Sequence, residues 1–363
     1  MRLLGHQVRL APVLVAAALA ATACGDSRAA DVEPLAVPTG AQTELVKQVS
    51  ARIHGSGASF PDAFYQEAVD GLDPVAPKLS VTYEAVGSAA GREALGVGLT
   101  DFAGTDSLVG DEDRLEPGTF RYVPAVAAPI AVVVHLPGVD DLRLDQATLA
   151  AVFQGDIDRW NHPDIVATNA DADLPDRHIV VARRADGSGT TKHFTRFLDR
   201  SAPNWRLGTG DTVEWPADTQ GGQQNAGVAQ LVVDTPGAIG YLDFGNASEL
   251  GLATVAVRNR DGEYVTPSIA STQVALEHVE VADDLTFDPI DAPGRGSYPI
   301  TAPTYLLVRS RYDDARTGEA VVAFVRWLIT DGADTYAAEL GFAPLPDGLR
   351  GRAIELLSTI EVA

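Results

Sequence analysis

The stretch Arg183-Arg184-Ala185-Asp186-Gly187-Ser188-Gly189-Thr190-Thr191 constrains this chain more than any other. It follows the apolar run Ile179-Val180-Val181-Ala182, which reads as a buried strand. It precedes a segment in which Phe194, Phe197 and Leu198 recur at helical spacing. A strand, a glycine-containing turn and a helix start leave free backbone N–H groups at the helix N-terminus, where the helix dipole favours negative charge. A nearby Arg adds a charge-assisted fork of hydrogen bonds suited to a tetrahedral oxyanion. Taken alone, Ser-Gly-Thr is also an ordinary helix cap, and an Arg pair an ordinary solvated surface.

Two further segments of the same build shift the reading to an anion site. Gly55-Ser56-Gly57-Ala58-Ser59-Phe60-Pro61 leads into a helical Phe64-Tyr65 segment. Pro61 suits the first turn, so Ser59 is expected near the N-cap. Val86-Gly87-Ser88-Ala89-Ala90-Gly91 follows the strand Val81–Tyr83 and precedes a helix expected to start at Glu93–Leu95. Singly, each reads as a cap or turn. Three strand–loop–helix units converging on one small anion supply the many donors an oxyanion needs. Between the second and third lies Asp101-Phe102-Ala103-Gly104-Thr105-Asp106. A carboxylate fits there if the ligand still carries a proton. Asp106 could accept from a P–OH group, whereas fully ionised sulfate would leave the carboxylate buried and unpaired.

Strands are expected at Val81–Tyr83, Ile130–Val134, Ile179–Ala182 and Thr304–Val308, and helices at Phe64–Leu72, Asp145–Phe153, Gly227–Val233 and Gly318–Ile329. This alternation implies an α/β architecture with largely parallel sheets. The formal net charge of −23 argues against nucleic acid and anionic membrane surfaces as partners. A desolvated site with many donors can still hold an anion against that field, which salt screens beyond about 10 Å.

At the N-terminus, Arg2 and Arg9 precede an apolar stretch from Leu10 to Ala21, and small residues lead to Cys24, the only cysteine. Residues 1–23 read as a signal peptide and Cys24 as a lipidated residue at a bacterial lipobox, although Ala21 stands where Leu is usual. Residues 24–50 read as a flexible tether.

Catalysis is not indicated. The histidines (His6, His54, His135, His162, His178, His193, His278) show no metal-ligand spacing. Asp186-Gly187-Ser188-Gly189 is not a nucleophile elbow, and no Walker pattern occurs. No cofactor or metal is expected. Two alternatives stay open: a sensor or scavenger of phosphate or another tetrahedral oxyanion, and, behind it, a phosphate-ester hydrolase.

The ordered tracts GSGASFPDAFYQ from Gly55, TYEAVGSAAG from Thr82, DFAGTDSL from Asp101, LAAVFQGDIDRWNHPDI from Leu149, VVARRADGSGTTKHF from Val180, GGQQNAGVAQLV from Gly221, PGAIGYLDF from Pro236 and YPITAPTYLLV from Tyr298 run through nearly the whole mature body. In this set the chain resembles the periplasmic phosphate-binding proteins of Pst-type ABC uptake systems. The resemblance implies a type II periplasmic-binding-protein fold: two α/β lobes, parallel-rich sheets flanked by helices, and phosphate in the interlobe cleft. It implies lobe I at 51–128 and 298–363 and lobe II at 129–297. It also implies inorganic phosphate as ligand, a Pst-type permease and ATPase as partners, and an extracytoplasmic, lipid-anchored location. Carried onto this sequence, Ser59 and Phe60 donate from hydroxyl and backbone N–H, and Ser88 donates its hydroxyl. Asp106 accepts the phosphate proton, Arg184 rather than Arg183 supplies the guanidinium, and Ser188, Gly189 and Thr190 complete the cage. Three positions depart from the family pattern (Ser59 for Thr, Ala90 for Gly, Thr105 for Ser), and none removes a donor or the acceptor. Trp160 and Asn161 read as packing residues rather than ligand contacts.

Overall fold

The structure, a computed structural model, describes residues 36–139 and 141–363. The expected signal peptide and Cys24 lie outside the described residues, as does the first part of the tether. In chain order the first twelve strands are β1 (Ala51–Gly57), β2 (Leu79–Ala85), β3 (Phe102–Thr105), β4 (Phe120–Val134), β5 (Arg143–Leu144), β6 (Val180–Arg184), β7 (Gln220–Gly222), β8 (Ala238–Asp243), β9 (Ala253–Thr254), β10 (Ala256–Arg258), β11 (Tyr264–Val265) and β12 (Thr301–Arg309). The helices that matter here begin with α1 (Ala41–Val46), α2 (Asp62–Leu72) and α3 (Ser88–Gly96). They continue with α4 (Gln146–Phe153), α5 (Pro163–Thr168), α6 (Gly189–Ser201), α7 (Gln224–Asp234), α8 (Phe244–Glu249), α9 (Ile269–Leu276) and α10 (Ala315–Trp327).

The fold is the expected two-lobed α/β type, built on a continuous sheet ordered β2-β1-β3-β12-β4-β8-β6-β7. Strand β4 is the spine. Its residues from Phe120 to Pro129 pair with β12, and from Ile130 to Val134 with β8. From Tyr122 onward every residue of β4 is buried, so both of its faces are packed, with α8 and α9 among the elements against it. The sheet is mixed. β2, β1 and β3 are mutually parallel, as are β8, β6 and β7, whereas β12 and β4 run antiparallel to their neighbours. The largely parallel expectation therefore holds only toward the two ends. An apolar run buried on both faces carries no mark of its direction.

Each end of the sheet delivers loops at the C-terminal ends of parallel strands, the place where such folds collect ligands. Helix α6 is fixed there by Phe194, which stacks on Tyr241 with centroids 4.3 Å apart and lies edge-on to Phe153 at 4.6 Å. Burying each such ring contributes about 1.5–3 kcal/mol. Trp160 is fully buried and donates its indole N–H to the Gly237 carbonyl at 3.0 Å, as a packing residue should. Asn161 is exposed instead, so only half of that expectation holds.

The expected tether also needs correction. Residues 41–46 form α1, which docks on α10: Thr43 gives its N–H and hydroxyl to Asp331 at 2.6 and 2.8 Å and accepts from the Trp327 indole at 3.1 Å. Only Thr43 and Val46 of α1 are buried, too narrow a stripe to register as periodicity. Among the described residues no helix is long and apolar enough to cross a membrane.

Candidate functional site

The three loops do converge. The Gly57 carbonyl at the end of β1 accepts from Val86 N–H at 2.9 Å and Gly87 N–H at 2.8 Å, while Ala58 N–H donates to Gly104 at 2.9 Å. The exits of β2, β1 and β3 are thereby tied side by side. From the other lobe, β6 ends at Arg184 and α6 begins at Gly189. Gly87 has φ +92°, and a Cβ there would lie 2.6 Å from Asp186 Oδ2 and 2.9 Å from the Gly187 carbonyl. Both the turn and the close approach of the lobes demand glycine.

All eight expected site residues are buried at this junction. Ser59 does not cap α2, whose N-cap is Pro61 with no side-chain bond, so its buried hydroxyl makes no hydrogen bond within the protein. Phe60 packs its ring edge-on against Phe342. Ser88 is the first residue of α3, a turn earlier than the expected Glu93 start. Its hydroxyl is the meeting point of the lobes: it lies 3.4 Å from Asp106 Oδ2 and accepts from Gly189 N–H at 3.3 Å and Asp106 N–H at 3.2 Å. Ser188 caps α6, accepting from Thr191 N–H at 3.2 Å, and its own proton stays free to donate. Gly189 permits the contact, since a Cβ there would sit 2.6 Å from the Asp106 Cβ and 2.8 Å from Ser88 Oγ.

Arg184 faces into the junction and Arg183 away from it. The Arg184 side chain is 1 % exposed; Nε donates to Asp186 Oδ1 at 2.8 Å and Nη2 pairs with Oδ2. Nη1 points to Thr190 Oγ1 at 3.4 Å and Asn225 Oδ1 at 3.2 Å. Arg183 instead reaches Thr219 at 3.3 Å. Burial pushes the Asp186 carboxyl up, but the Arg184 guanidinium and the Gln224 N–H more than offset it, so Asp186 stays below the usual range. Asp106 is the opposite case. Burial raises its carboxyl to about 7, only partly offset by the Arg184 charge and the Ser88 hydroxyl. Its Oδ1 makes no hydrogen bond within the protein, and neither does Asn225 Nδ2 or Thr304 Oγ1. A guanidinium, hydroxyls, helix-terminal N–H groups and one acceptor short of a proton are a matched set for a protonated tetrahedral oxyanion.

Sequence reasoning missed Asp186 and Asn225, which flank Arg184, and Thr304 beside Asp106. It also missed His193, whose Nε2–H donates across the cleft to the Asp106 carbonyl at 2.6 Å. Asp186 had a signal, since a carboxylate two residues beyond a buried Arg on a turn can fork onto it. Asn225 and Thr304 had none, because their nearness depends on the fold.

Fold and cleft together define a two-lobed solute-binding protein, and the family of PBP superfamily domains matches residues 37–332. Phosphate-binding protein PstS of Haemophilus influenzae is 34 % identical over 300 residues, covering 81 % of this chain and 89 % of the relative. Phosphate-binding protein PstS3 of Mycobacterium bovis is 32 % identical over 363 residues, covering 96 % and 97 %. The chain belongs to the PstS phosphate-binding family within the PBP superfamily. Among solved structures, a high-affinity periplasmic phosphate-binding protein bound with phosphate superposes with a TM-score of 0.67 at 22 % identity, covering 83 % of this chain and 92 % of that one. A putative phosphate ABC transporter substrate-binding protein of Clostridium perfringens gives 0.60 at 17 %, covering 82 % and 100 %, and shares the fold.

Proposed function

We propose that this protein binds inorganic phosphate outside the cell membrane and delivers it to a Pst-type ABC permease and ATPase. The observation that carries the reading is one buried cage in which Arg184 and the α6 N-terminus face Asp106, whose Oδ1 lacks a protein partner. Phosphate has both the charge for the donors and the proton for that oxygen. Ser59, Phe60, Ser88, Asp106, Arg184, Ser188, Gly189 and Thr190 are the residues assigned to hold it. Relatives named as phosphate-binding proteins support binding rather than hydrolysis, as does a solved relative with phosphate bound. The lobe division adopted is 51–128 with 298–363 against 129–297, supported by the change of partner along β4 between Pro129 and Ile130. Cys24 is assigned as the lipid anchor, supported by the small residues before it.

Equilibrium dialysis of ligand-stripped protein against labelled phosphate tests the reading. One phosphate per chain, not displaced by a large excess of sulfate, is expected. Displacement by sulfate, or no retention, would remove phosphate as the ligand.

A further inference from the structure

Arg92 is an arginine 1 % exposed on α3, and the anion cage does not use it. Its guanidinium is nonetheless almost fully engaged. Nε donates to Asp113 at 2.8 Å, and Nη1 donates to Thr105 Oγ1 at 3.1 Å and Ser107 Oγ at 2.6 Å. These contacts lie within one lobe and brace the turn that carries Asp106 from both sides. Nη2 then crosses the cleft to Asp211 Oδ2 at 2.6 Å, joined there by Ser107 Oγ at 3.1 Å. Asp211 is in turn built into the opposite half of the cage, because its backbone carbonyl accepts the Ser188 N–H at 3.0 Å.

We propose that Arg92 and Asp211 form an interlobe latch that positions both halves of the cage and holds the phosphate-loaded protein closed. The proposal rests on the phosphate reading above. Its logic is that the ion pair is made only when the lobes meet. On opening, Arg92 keeps Asp113, Thr105 and Ser107, so its charge is not orphaned. Asp211, already 16 % exposed, passes into water. The pair's free energy therefore goes to closure rather than to the stability of either lobe. Arg92 and Asp211 touch no ligand in this arrangement and act through the turns they hold.

Asp211→Ala removes the latch at its less buried end, and Asp211→Asn keeps an acceptor for Nη2. Stopped-flow phosphate binding to the full folded chain is the experiment, paired with thermal unfolding without phosphate. Asp211→Ala should speed phosphate dissociation roughly tenfold or more while association changes less than about twofold. Asp211→Asn should recover part of that loss, and ligand-free melting should move by less than about 2 °C. Unchanged dissociation in Asp211→Ala would overturn the latch. So would a ligand-free melting temperature that falls together with affinity, since Asp211 would then be a part of the fold only. If the unsubstituted chain bound no phosphate at all, the proposed function itself would fail and the latch with it.

Discussion

Arg184 is held by a fork onto Asp186 and by Asn225, so its guanidinium reaches the cage already oriented. Little side-chain entropy is then lost on binding. Arg184→Ala should weaken phosphate binding by ~2–5 kcal/mol, measured by calorimetry, because it leaves a desolvated anion without its charge partner. Retained affinity would shift the anion's charge partner to Arg183 or to the backbone. In the proposed cage Asp106 is assigned selectivity rather than strength. Asp106→Asn should lower the phosphate-to-sulfate affinity ratio by at least about tenfold, since the amide can donate to sulfate where the carboxylate repels it. An unchanged ratio in competition dialysis would contradict that role. The same burial gives a pH dependence whose sign is fixed. In the closed, ligand-free arrangement Asp106 keeps its proton up to about pH 7. Exposed, a carboxyl loses it near about pH 4. Closing without ligand therefore takes up a proton within this window and becomes less favourable as pH rises through it. Small-angle scattering of ligand-free protein should show a larger radius of gyration at pH 8 than at pH 5, and Asp106→Asn should abolish the difference.

At the scale of elements, the cage depends on α6 arriving within contact of the Asp106 turn. Gly189→Ala suits the helix itself but places a Cβ 2.6 Å from the Asp106 Cβ. It should weaken phosphate binding roughly tenfold or more while leaving ligand-free melting within about 2 °C, because only the closed arrangement is overpacked. A melting temperature that falls without loss of affinity would place the strain inside one lobe. The sequence marks such elements well where one physical signal dominates. Ile130–Val134 and Thr304–Val308 are apolar because β4 and β12 are covered on both faces, and Phe194, Phe197 and Leu198 recur because α6 buries one stripe. The glycine and serine loops are legible for a related reason, since few other residues allow backbone to approach backbone so closely. What escaped the sequence is relational. Arg92 and Asp211 lie 119 residues apart, and His193 meets Asp106 across 87. Neither pair carries a local pattern. The docking of α1 was hidden by its having only two buried residues.

The whole molecule is a two-lobed α/β fold in which β4 pairs with β12 and with β8, and the proposed anion cage would draw its donors from both lobes. Four contacts from lobe to lobe lie around the proposed cage: Ser88 to Gly189, Arg92 to Asp211, His193 to Asp106 and Gln224 Nε2 to the Ala85 carbonyl. Others, such as Tyr298 to the Ile130 carbonyl and Arg352 to the Ala282 carbonyl, lie elsewhere along the junction. The proposed cage reconciles so acidic a chain, at −23, with an anionic ligand. The local donors are desolvated together, whereas the surface charge acts through screening solvent. Phosphate should accordingly shrink the radius of gyration in solution, and sulfate should not. The most direct test of the account is calorimetric titration of ligand-stripped protein with phosphate and, separately, with sulfate at pH 8. The account predicts tight one-to-one binding of phosphate and no heat of binding from sulfate. Sulfate binding with comparable affinity would contradict it, because Asp106 would then not be reading the ligand's proton.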